Sequence, residues 1–172
     1  TLGGGALLPL NHTVAGLWAE AAYGIRHAGL GTIGAADPFA AVVALIGTFT
    51  WWAPSQAMVV LWVLALPLAL LGGWFAATRV TDRAGLRIIA AIAWALAPTF
   101  LLSLQQGRPT GVIVHLLLPW LFAVGAVAFR SWGAAGAASL LLIAVLACAP
   151  VLALPLAVLW IVAIVLGRRG IA

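Results

Sequence analysis

Residues 38–78 read PFAAVVALIGTFTWWAPSQAMVVLWVLALPLALLGGWFAAT, a run from Asp37 to Arg79 without one internal charge. As a single α-helix this run would be roughly 60 Å long, about twice the hydrocarbon core of a bilayer. It therefore breaks. Trp51-Trp52-Ala53-Pro54 is the place, because proline suits the first turn of a helix and tryptophan suits headgroup level. The piece from Pro54 to Thr78 is long enough to span, with Pro67 inside it as a kink. The piece from Pro38 to Thr50 is too short to span and is expected to lie in the interface. Asp37 would start it as N-cap, with Pro38 at the first helical position.

The pattern continues downstream. Arg79, Asp82, Arg83 and Arg87 form a short charged loop. Ile88–Gly107 is uncharged and long enough for one span, with Pro98 inside it. A polar island, Gln105-Gln106-Gly107-Arg108-Pro109-Thr110-Gly111, follows, and Gly111–Phe129 gives the next span, ending at Arg130. Residues 131–167 are again uncharged and too long for one crossing, so Cys148-Ala149-Pro150 is expected to turn the chain between two short spans. Arg168-Arg169 closes the run.

Composition agrees. Hydrophobic residues make up 66% of the chain and charged residues 6%, against roughly a quarter charged in soluble domains. Such a chain cannot cover a water-facing surface. The fold expected is all-α: a polytopic membrane protein of about five transmembrane helices at 54–172. An extracytoplasmic loop with short interfacial helices, residues 1–53, precedes them. No fixed-period repeat is present.

Eight arginines stand against three acids, and lysine is absent. Alternation of the spans puts Arg79, Arg83, Arg87, Arg130, Arg168 and Arg169 on one side and Arg26 and Arg108 on the other. An arginine excess in short loops marks the cytoplasmic face. The basic balance is thus a topology signal, and nucleic acid is not an expected partner. The 105–111 island and residues 1–53 then face outward, in a bacterial plasma membrane on the resemblance given below. The chain opens at Thr1 without a basic-then-apolar leader and reads as a segment of a longer protein.

Residues 1–37 are the least apolar part, with one short helix expected near Thr13–His27. Trp18 and Tyr23 suit headgroup level there. Asn11-His12-Thr13 matches a glycosylation sequon by chance. Gly3-Gly4-Gly5 and Gly29-Leu30-Gly31 are too weak a signal for a phosphate loop, and the single Cys148 excludes an internal disulfide and a cysteine metal cluster. No metal and no cofactor is expected.

The outward polar residues are Glu20, Arg26, His27, Asp37, Gln105, Gln106, Arg108, Thr110 and His115. Arg108-Pro109 is the most interpretable pair. With Pro109 as the first helical residue, the free N–H groups of Thr110 and Gly111 and the positive helix end point outward beside a guanidinium, an arrangement that suits phosphate or carboxylate. His115 lies seven residues on, on roughly the same face. Each has a plainer alternative: a loop arginine reaching to headgroups for Arg108, a packing histidine bonded to a neighbouring span for His115, frayed-end satisfaction for Gln105 and Gln106. Glu20 and Asp37 are the outward carboxylates, hence the candidate catalytic acids or bases. For Asp37 the plainer alternative is the helix cap, and for Glu20 a solvated surface.

Several short motifs recur in a familiar order: Leu17-Trp18 with Tyr23, Gly29-Leu30-Gly31, Asp37-Pro38-Phe39, Ala76-Ala77-Thr78-Arg79, Ala97-Pro98, Gly107-Arg108 and Leu117-Leu118-Pro119-Trp120. In this the chain resembles the membrane region of large actinobacterial glycosyltransferase family 2 proteins. Those join a cytoplasmic sugar-nucleotide domain to a multi-span part similar to the C-type glycosyltransferases. The resemblance implies an outer-face activity on a polyprenyl-phosphate-linked sugar or glycan. Membrane lipids and the remainder of a longer chain would be its partners. The catalytic acid of such enzymes sits early in the first external loop, in a part this chain does not contain. Two readings follow: the membrane-embedded part of a cell-envelope glycosyltransferase, or a non-catalytic module that anchors or translocates a lipid-linked glycan for a fused enzyme. Part of a solute transporter is a third, without an inverted repeat to support it.

Overall fold

The computed structural model describes residues 12–22 and 37–169, the side chains of Ser55 and 163–169 excepted. Arg26, His27, Tyr23 and the glycine runs near the start lie outside the described residues. So does the end of the helix expected at Thr13–His27, seen here as α1 (Val14–Ala22).

Seven further α-helices follow among the described residues, with no strand: α2 (Pro38–Phe49), α3 (Ala57–Ala77), α4 (Ala84–Ala95), α5 (Pro98–Gln105), α6 (Pro109–Gly125), α7 (Trp132–Cys148) and α8 (Ala153–Arg169). The breaks fall where proline and caps put them. Asp37 Oδ1 accepts the Phe39 N–H at 3.0 Å and Pro38 opens α2. Pro54 opens a 3₁₀ turn that leads into α3, and α3 runs unbroken through Pro67. Ser131 Oγ caps α7 by accepting the Ala134 N–H.

Three stretches are long and apolar enough to cross a membrane: Ala57–Ala77, Ala84–Gln105 and Pro109–Arg130. The sequence reading has five spans. The last two correspond to α7 and α8, 17 residues each, which fall below that length. The span expected at Ile88–Gly107, with Pro98 inside it, begins earlier, at Ala84, and consists of two helices, α4 and α5. Pro98 is the reason. It has no N–H for the carbonyl of Trp94, four residues back, and here it stands as the first residue of α5.

Packing is inverted relative to a soluble bundle. The buried face of α3 is Ala57, Ala65, Ala69, Gly72, Gly73 and Ala77, with Met58 the one large side chain. Most of its large aliphatics point away, Val63 at 71% exposure, while Leu61 and Leu68 pack half-buried on the core. Against lipid tails there is little hydrophobic drive between helices, so close approach of small residues supplies the attraction. Gly72 and Gly73 do this in two directions. A Cβ on Gly72 would meet the Pro119 ring of α6 at 3.3 Å, and one on Gly73 would meet the Ala91 backbone of α4 at 3.0 Å. Phe100, Val112 and Leu116 fill the space between α3, α5 and α6, with Ala65, Ala69 and Ala95 around them.

The short helices cover one end of this bundle. Trp18 Nε1 donates to Thr48 Oγ1 across α1 and α2, and Thr48 in turn donates to Ala44 O. Phe39, Val42 and Ile46 of α2 pack on the cluster that holds Val145 and Cys148 of α7. Trp62 Nε1, near the start of α3, donates to Leu104 O at the end of α5. The 105–111 island is tied to that end of the bundle, and the arginine-bearing turns at 79–87 and 128–131 follow the far ends of α3 and α6.

Candidate functional site

The island at 105–111 is a closed helix end followed by an open helix start. Gly107 has φ +63°, the left-handed conformation that glycine adopts without strain. Gly107 N–H bonds Leu104 O and Arg108 N–H bonds Ser103 O at 2.9 Å, the paired pattern that satisfies the last carbonyls of a helix. Arg108 then leaves the helical region, at φ −93° and ψ 95°, and Pro109 starts α6. No side chain caps this start. The carbonyls of Leu102, Ser103 and Leu104 at the end of α5 are engaged, while the N–H groups of Thr110 and Gly111 have no intrahelical acceptor. The turn therefore presents positive potential from one side and little negative from the other. Arg108, Gln105 and Gln106 are exposed, and Thr110 is half-buried. Gly111 lets the two helices close: a Cβ there would stand 2.7 Å from Ser103 Oγ.

His115 belongs to a different environment. It is buried and lies flat between two rings, with centroids 4.3 Å from Trp94 and 4.3 Å from Phe100. Its Nε2 is 3.0 Å from Trp94 O. A carbonyl only accepts, so Nε2 carries the proton. Trp94 O is the carbonyl that Pro98 deprives of a partner: Ala97 N–H reaches it at 3.2 Å, and the imidazole adds the second bond. His115 thus patches the backbone where α4 and α5 part. Arg108, the N-cap of α6, and His115 lie about 10 Å apart along the helix axis. The contacts of His115 are those of the packing alternative.

The two carboxylates are placed apart in role. Asp37 is the N-cap of α2, its carboxylate engaged by the Phe39 N–H. Glu20 is exposed on α1, three residues from the buried Leu17 that docks α1 on α2. Among the described residues no group of three or more His, Cys, Asp or Glu could hold a metal ion.

The feature that sequence reasoning missed is a groove of about 790 Å³ among α3, α4, α6 and α8. Gly73 and Ala77 of α3, Gly125 of α6 with its C-cap Ala126, and Ala90 of α4 open it, and Trp160 of α8 flanks it, 3.3 Å from where a Gly125 Cβ would be. Neither Arg108 nor His115 lines it. Small residues four apart, Gly73 with Ala77, are the signal that could have located it. Comparison with protein-family models, curated proteins and solved structures finds no match to this chain.

Proposed function

We propose that this chain is the membrane-embedded part of a cell-envelope glycosyltransferase-type protein that works at the outer face on a lipid-linked sugar or glycan. Its own share is to hold the substrate's phosphate, not to carry out sugar transfer. In this reading α3, α4 with α5, α6, α7 and α8 are the five spans, and the arginine-rich turns face the cytoplasm. The observation that carries it is the Arg108 turn: an uncapped start of a 17-residue helix with an exposed guanidinium beside it. The glycan context comes from the resemblance of the short motifs. The non-catalytic share is favoured by Asp37, whose carboxylate already serves its own helix.

The test is binding of a polyprenyl phosphate, with the phosphate-free polyprenol as control, to the full-length protein in nanodiscs. Arg108→Ala is expected to weaken phosphate-dependent binding about tenfold, the scale of one charged hydrogen bond. Arg108→Lys is expected to recover only part, because an ammonium lacks the planar fork. Wild-type binding by Arg108→Ala would remove the proposal. Asp37→Asn keeps the cap and should keep sugar transfer. Loss of transfer with binding and expression intact would return the chain to the catalytic reading.

A further inference from the structure

The groove among α3, α4, α6 and α8 ends at the arginine-rich turns. Thr81 lines it. Arg87 Nε donates to Thr81 O at 2.7 Å, so one guanidinium stands at the rim. Arg87 Nη2 also reaches Asp82 at 3.1 Å. Arg79 and Arg83 flank Thr81 on the same turn and are exposed, and Arg130 follows the groove-lining Ala126 by four residues. No arginine lines the groove itself, and the Arg130 guanidinium lies over the Phe129 ring, but Arg79, Arg83 and Arg87 stand within six residues of Thr81 against the one aspartate, Asp82, at a groove whose walls are almost wholly apolar.

The depth of the groove is informative. From Leu86 to Trp94 along α4, and from Leu118 to Ala126 along α6, it covers about 12 Å of helix. One leaflet of a hydrocarbon core is about 15 Å deep. A groove open along the bundle side, one leaflet deep, apolar inside and cationic at its rim, matches a lipid with an anionic headgroup. It does not match a free anion, which would have no use for the walls, or a zwitterionic lipid, which would gain little from the arginines.

We propose that this groove is a binding site for one anionic phospholipid of the leaflet at the arginine-rich end, with an acyl chain along α4 and α6 and the phosphate among Arg79, Arg83 and Arg87. The site is separate from the Arg108 turn and does not depend on the function proposed for it.

Native mass spectrometry of the detergent-purified full-length protein, titrated with dioleoyl phosphatidylglycerol and separately with dioleoyl phosphatidylcholine, tests this. One phosphatidylglycerol should be retained per chain, in preference to phosphatidylcholine, and inorganic phosphate should not displace it. Ala90→Trp and Ala126→Phe, two independent fillings of the groove with apolar side chains, should each abolish that retention. The double change Arg79→Gln with Arg83→Gln should weaken it about tenfold, leaving phosphatidylcholine unaffected. Equal retention of the two lipids, or unchanged retention in both filled variants, overturns the site. So does a dimer that both filled variants dissociate, since a second copy would then occupy the groove.

Discussion

His115→Ala is expected to destabilise the bundle by about 3 kcal/mol, the range of large-to-small changes in a packed core. Three losses combine. The imidazole's two ring contacts, each worth roughly 0.5–1.5 kcal/mol, disappear together with the bond to Trp94 O, worth about 1 kcal/mol in a membrane protein. The void between Trp94 and Phe100 adds to them. His115→Phe separates the contributions: it keeps an aromatic ring in the stack and loses only the donor, so about 1 kcal/mol should go. Unfolding followed by denaturant titration in detergent, with phosphate-lipid binding measured on the folded fraction, checks this. Both variants should bind polyprenyl phosphate as wild type when folded. A selective binding loss in His115→Phe would put the imidazole back in the anion site.

Gly73→Leu is the second large effect. A Cβ at this position already lies 3.0 Å from the Ala91 Cα and 3.1 Å from the Trp94 Cβ. The atom in the way is backbone, which cannot rotate aside, so α3 and α4 must separate along their shared length. Overpacking of this kind costs about 3 kcal/mol. It should also disturb Trp94 and through it the stack on His115. Gly85 makes the control, because nothing lies within 4 Å of a Cβ built there. Gly85→Ala should leave stability within about 1 kcal/mol of wild type, on the stabilising side, since alanine favours helix over glycine. The same denaturant titration separates the two. Equal tolerance of both substitutions would mean that α3 and α4 do not meet at Gly73.

What was legible in the sequence was local. Asp37-Pro38, Pro54, Arg108-Pro109 and Cys148-Ala149-Pro150 each mark a helix boundary, because a cap or a missing N–H acts within four residues of itself. Not every proline marks a boundary, and Pro119 lies inside α6 without breaking it. Pro67 leaves α3 continuous, while Pro98 divides α4 from α5, and here a residue from another helix, His115, attends the freed carbonyl. Whether a proline interrupts a membrane helix depends on what the neighbours offer the backbone, which no local pattern records. The fate of His115 was hidden for the same reason. Spacing placed it beneath Arg108, but Trp94 and Phe100, reached only through the fold, decide its environment. Likewise the groove arises where small residues of three helices coincide, and α3 alone shows only that one of its faces is narrow.

The function proposed for the Arg108 turn requires it to face outward, and thiol labelling in intact cells measures that directly. In a Cys148→Ala background, single cysteines at Gln106, Gly85 and Trp132 occupy exposed positions at the two ends of the bundle. A membrane-impermeant thiol reagent should modify Gln106→Cys in intact cells, and should reach Gly85→Cys and Trp132→Cys only after the membrane is opened. Labelling of Gly85→Cys and Trp132→Cys in intact cells, with Gln106→Cys protected, would contradict the account and place the uncapped start of α6 in the cytoplasm.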